Sequence, residues 1–412
     1  MWINRLDALA STRMRRRHDR PRWFQTSPTH VNTSRMTAFH SAMSGSQYRM
    51  RGAISILVRR RAAPGAPVRC RMPARQTAPG FASITTMETN MCVQKPADGP
   101  DVKRLLDGLP TNWGKWGPDD EVGALNYLQS EQVMRGIAAV RQGRTFTLQV
   151  DIGHAKGEPL FPGRRPSMRM NVLDKGHFLA GKAHFDGNVE YADDVIFMHV
   201  QGSTQCDALG HVWYDDTLWN GYDALSTVGG LERASILPIA ERGIAGRAVL
   251  IDIARHRNKR VLDKGETFDH HDLLDAARAQ NVTIEPRDIL LIRTGWIGSF
   301  YERDEAEFYR DYVEPGLTFS RELVEWFREM EIPNLVTDTM GNEVTVDPVS
   351  GVMIPLHNAL MRNLGVVFTE VVLLDALAED CARDGQWQFL YTAAPLKIVG
   401  GTGAPVNPLV IK

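Results

Sequence analysis

The chain has 412 residues, 43% hydrophobic and 24% charged, with a formal net charge of −1. This is an ordinary globular balance, and no run of about 18 apolar residues marks a membrane span. Four widely spaced cysteines (Cys70, Cys92, Cys206 and Cys381) exclude a disulfide scaffold and paired-cysteine zinc sites.

The near-neutral charge hides two opposite halves. Residues 1–87 hold 16 Arg, no Lys and two acids, Asp7 and Asp19, for +14, and residues 88–412 carry −15. An acidic body argues against a nucleic-acid partner. The Arg-, Ser- and Pro-rich head has too little apolar content to bury a core, so disorder is expected over 1–95. Three readings fit it: an over-extended start, with Met87 or Met91 as the natural one; an organelle transit peptide; or a basic arm. The first implies a cytoplasmic protein and the second a mitochondrial one.

The body, 96–412, reads as a single α/β domain. Strands are expected at Thr145–Val150, Val195–Val200, Ala248–Ile253, Ile289–Ile292, Asn334–Thr337, Val366–Thr369 and Leu396–Val399. Helices fall between some of them. Asp269 is a candidate cap for His271–Gln280, and Ser320 opens Ser320–Met330, with Leu323, Val324 and Phe327 at helical spacing. His357–Leu364 stops at Gly365.

Polar chemistry concentrates in Gln201-Gly-Ser-Thr-Gln-Cys-Asp-Ala-Leu-Gly-His211, directly after an apolar run. Gln201, Gln205, Asp207 and His211 in so short a span can place a cation, a water and a proton acceptor together. A polar turn bonding its own backbone is the plain alternative. The segment resembles the signature of the metal-dependent cyclase family, which includes bacterial kynurenine formamidase and isatin hydrolase: His-x-Gly-Thr-His-x-Asp-x-Pro-x-His. Thr204, Asp207 and His211 match that pattern. Gln201 and Gln205 stand at its two metal-binding His positions, Ser203 at its Gly, and Leu209 at its Pro. Trp116–Asn126, Arg247–Asp252, Asp288–Gly295, Thr337-Asp338, and His357 with Glu370 resemble other family segments in the same order.

The resemblance implies a swivelling β/β/α cyclase-type fold and hydrolysis of a non-peptide C–N bond. The substrate would be an aryl formamide, such as formylkynurenine in tryptophan breakdown, or a cyclic amide. It assigns metal binding to the positions of Gln201, Gln205 and Asp207, and catalysis to His211, with Glu370 and His357 assisting. Two Gln and one Asp make an oxygen-rich donor set that favours Mn or Mg over Zn, or mark a lost metal. His199, two residues before Gln201, is a candidate replacement ligand if the strand continues through both. Trp213, Tyr214 and Trp219 are candidate substrate contacts, although core packing suits them as well. Lactone hydrolysis, a dehydrating cyclase on the same site, and an inactive binding homologue are the rival readings. Cys206 lacks an activating base apart from His211, and His270-His271 reads as a structural pair near solvent at a helix start. The family implies a homodimer or homotetramer acting on a small molecule, with no nucleic acid and no membrane.

Overall fold

The computed structural model describes residues 99–412. These residues belong to one compact unit, Asn90–Lys412. The extension over 1–95 and its three readings lie outside the described residues. The body is a mixed α/β domain, as its interleaved apolar runs and capped helices suggest.

The main sheet has nine strands. They are β1 (Thr145–Thr147), β2 (Gln205–Asp207), β3 (Ile244–Asp252), β4 (Ile289–Arg293), β5 (Asn334–Thr337), β6 (Val367–Glu370), β7 (Gln388–Ala393), β8 (Gly403–Pro405) and β9 (Leu409–Ile411). Their spatial order is β1-β9-β7-β3-β4-β5-β6-β2-β8. The central strands β3 to β6 run parallel, and the flanking pairs are antiparallel. Every residue of β4 and β5 is buried, which explains their unbroken apolar runs: a parallel sheet covered on both faces needs no polar alternation.

Helices His270–Ala279 and Arg321–Glu329 cover this core. Asp269 accepts from the amides of His271 and Asp272, and Ser320 from that of Leu323, so both helix starts fall at the expected caps. Leu273, Ala276, Leu323, Val324 and Phe327 turn inward. His357–Arg362 winds as a wide π-type helix. It runs on to Gly365, whose φ is +75° and where a Cβ would stand 2.7 Å from the Trp219 ring.

Three strand expectations change. Leu396–Val399 is irregular, with Leu396 and Val399 exposed. The first strand ends at Thr147. The second expected run, Val195–Val200, forms Asp193–Phe197 instead, which pairs with Met168–Leu173 in a separate two-stranded arm. A turn then begins at Val200.

Candidate active site

The register of β2 builds the site. Gln205 lies opposite Glu370 of β6 and Cys206 opposite Thr369; Asp207 lies opposite Gly403 of β8. Alternation places Gln205, Asp207 and Glu370 on one face of the sheet and Cys206 on the other. A Cβ at position 403 would come within 2.8 Å of Gln201 Nε2 and 3.2 Å of Asp207 Oδ1, so glycine keeps the face open. Thr204 anchors the approaching loop: its hydroxyl accepts from the Val150 amide at 2.9 Å and donates to the Val371 carbonyl at 2.5 Å.

His357 reaches the same face from its wide helix. Ligand-type atoms of Asp207, His357 and Glu370 all lie within 4.8 Å of one another, and all three residues are buried. His357 Nε2 stands 3.3 Å from Glu370 Oε1. Its Nδ1 is 2.7 Å from Glu343 Oε1, which also accepts from the His357 amide at 2.8 Å. Gln205 Nε2 donates to Glu370 Oε2 at 2.8 Å, and Asn342 Nδ2 to Glu370 Oε1 at 2.9 Å. Gln201 Nε2 donates to Thr402 Oγ1 at 3.1 Å and lies 3.4 Å from His211 Nδ1.

The electrostatics are one-sided. Both Asp207 oxygens and Gln205 Oε1 are buried and accept no hydrogen bond. Burial and the facing Glu370 push the Asp207 carboxyl well above its ordinary range, against the pull of His357 and Arg164. Burial alone would lower His357, but Glu343 and Glu370 outweigh it and raise it to about 10. Burial raises Glu343 despite His357. His211 moves the other way: burial, then the charges of His357 and Arg164, push it down to about 3, so it is neutral at pH 7.

Three buried carboxylates around one imidazole, with orphaned oxygens on Asp207 and Gln205, are the donor chemistry of a divalent cation site. Asp207, Glu370, His357 Nε2 and Gln205 Oε1 suit such an ion. Glu343 behind His357 is the outer carboxylate that commonly orients a ligating imidazole.

The structure brings Gln201, Gln205, Asp207, His211, His357 and Glu370 together. The aromatic candidates have partners of their own or face solvent. Trp219 is fully buried, its indole donating to the Asp120 carbonyl at 3.1 Å, so it packs the core. The Tyr214 ring lies 3.8 Å beneath the Arg362 guanidinium, and Trp213 is 43% exposed. His199 is exposed, because the strand stops at Phe197 and the turn breaks the alternation that would have aligned it with Gln201. The Cys206 thiol is pushed far up by burial and by Asp207, which leaves no nucleophile there. His270 is buried rather than near solvent and stacks on Trp326, while His271 is exposed. Sequence reasoning missed Glu343, Asn342, Thr402 and Arg164. The one available signal was a charged residue, Glu343, inside a stretch otherwise poor in charge.

Residues 144–344 match the family described as "Putative cyclase". Among solved structures, a novel cyclase is 34% identical, over 74% of this chain and 98% of that one, with a TM-score of 0.67. Isatin hydrolase A from Labrenzia aggregata bound to benzyl benzoate is 21% identical over 68% of this chain and 97% of that one, TM-score 0.47. Isatin hydrolase A from Ralstonia solanacearum is 20% identical over 65% and 91%, TM-score 0.46. Among curated proteins none matches.

Proposed function

The chain belongs to the cyclase family, and from that premise we propose that it is a metal-dependent hydrolase of a non-peptide C–N bond. The substrate class is an aryl formamide, with formylkynurenine and tryptophan breakdown as one instance, or a cyclic amide. The observation that carries this reading is the buried, unpartnered Asp207 carboxylate beside Glu370 and His357. Such a group belongs with a cation.

Asp207, Glu370, His357 and Gln205 would hold the ion, which when bound would polarise a carbonyl and acidify water. The oxygen-rich set favours Mn or Mg over Zn. Glu343 fixes the imidazole of His357 so that Nε2 faces Glu370. Gln201 lies beside His211 and steadies its ring. His211, held neutral, accepts the proton of the attacking water and returns it to the leaving nitrogen. A small-molecule substrate and a homodimer or homotetramer complete the reading.

The test is elemental analysis of the purified full chain after growth with Mn, Mg and Zn, followed by hydrolysis assays on formanilides and lactams. Stoichiometric metal and turnover are expected, with a loss of about 10²- to 10⁴-fold in His211→Ala. Near-wild-type turnover in that variant would remove His211 from the mechanism. A folded protein with neither metal nor turnover would overturn the hydrolase reading.

A further inference from the structure

A cavity of 790 Å³ lies beside the loop that carries Gln201, with Leu160, Phe161, Arg164, Tyr309 and Tyr312 among its lining residues. Arg164 joins it to the site. Its Nη1 donates to the Gln201 carbonyl at 2.7 Å, and Gln201 in turn lies beside His211. The guanidinium stands 5.4 Å from the centre of the Phe161 ring, and Phe161 meets Tyr312 edge-on at 5.6 Å.

Arg164 uses one of its donors in this way. Among the described residues no hydrogen bond or ion pair engages its Nε or Nη2, and the Nη1 bond is its one side-chain hydrogen bond. The other charges of the cavity do not compete for it. Glu158 is committed to the amides of Gly153 and Ser167 and the Ser167 hydroxyl. Lys156 donates to the Tyr301 carbonyl at 2.5 Å. Glu305 is exposed at the start of a short helix and forms no ion pair with Arg164. A half-buried guanidinium with a free edge, beside the Phe161 ring, is built to take a planar carboxylate on an aryl or apolar body.

We propose that Arg164 and the Phe161–Tyr312 wall form a carboxylate-reading subsite, so that the substrate is an amide carrying a free carboxylate. This inference rests on the hydrolase reading for the word substrate, but the subsite is defined by binding alone. The Arg164–Gln201 bond, with Gln201 Nε2 3.4 Å from His211 Nδ1, joins the subsite to the reacting groups.

The test uses the full chain, metal-free and Mn-loaded, with phenylacetate and its neutral isostere phenylacetamide as probes in calorimetry. Phenylacetate should bind at least about tenfold more tightly. Arg164→Gln, which removes the charge but keeps a polar side chain, should erase the preference, and Arg164→Lys should restore part of it. An unchanged Mn-induced thermal shift in Arg164→Gln shows that the neighbouring site is intact. In turnover, Arg164→Gln should raise KM for N-formylanthranilate about tenfold more than it raises KM for formanilide. A carboxylate preference that survives Arg164→Gln, or its absence from the wild type, would overturn the subsite. Binding preference without turnover of either substrate would keep the subsite and sink the hydrolase reading; turnover of both without preference would do the reverse.

Discussion

Asp207 is a carboxylate with no exposure, no N–H donor on either oxygen, and a second carboxylate, Glu370, within 4.8 Å. Such a group costs stability until a proton or a cation neutralises it. Asp207→Asn removes the charge at constant shape and gives Glu370 a donor. The cation-free variant should therefore be more stable than the wild type, by about 1–3 kcal/mol in chemical denaturation. It should also lose the rise in melting temperature that Mn gives the wild type. A variant less stable than wild type would mean that Asp207 is already paired. The two glutamines make a separate prediction: Gln201→His with Gln205→His should shift metal preference toward Zn by on the order of tenfold or more in competition with Mn. No shift would mean that neither position reaches the ion. Asp207 and His211 were legible because their spacing survives in sequence. Glu343 was not, because its partner His357 is 14 residues away and only the fold joins them.

The central strands carry buried acids at or near their ends. Asp338 follows β5 and accepts from Thr294 and Gly295; Asp288 precedes β4 and pairs with Arg247; a third buried acid, Glu314, lies outside the main sheet and accepts from the Met340 amide at 2.8 Å. Burial pushes Asp288 up to about 6 and Asp338 up to about 7, in spite of the Arg247 and Arg293 charges beside them. It pushes Glu314 up to about 8. In each case the folded state holds its proton more tightly than the unfolded chain, where the value is near 4. Stability from these groups is complete below about pH 4 and is lost as pH rises through the folded values. Urea midpoints should accordingly fall between pH 5 and pH 9, and Glu314→Gln should flatten the upper part of that fall. Equal midpoints across the range would show that these carboxyls titrate normally. The same burial explains which elements were readable. Strands covered on both faces announce themselves as apolar runs, and β3 to β6 were found. The three-residue strands β2, β8 and β9 exist only through their partners, so nothing local marks them. The β2 strand carries the site, so the register that assembles the chemistry was the hidden part.

At the scale of the whole domain, the arm formed by Met168–Leu173 and Asp193–Phe197 is conspicuously unsupported among the described residues. Met168 pairs with Phe197 and Met170 with Val195, so these four side chains share one face. All four are exposed, Phe197 to 74%. An isolated two-stranded hairpin is marginal in water, and an apolar face of this kind needs a cover. The homo-oligomer proposed above would supply such a cover: the same face on a second copy. Sedimentation velocity on the full chain should then give a dimer or larger assembly. Met170→Lys combined with Phe197→Ser should shift it to a smaller species while the Mn-induced thermal shift survives, because the arm contributes no group to the cation cluster. An assembly of unchanged mass in that double variant would place the interface elsewhere, and a monomeric wild type would leave the arm's apolar face to a different partner. The arm's second strand ends four residues before Gln201. Ordering it against a second copy would therefore also fix the start of the loop on which Arg164, Gln201 and His211 meet, and a monomeric variant should show a higher KM before it shows a lower kcat.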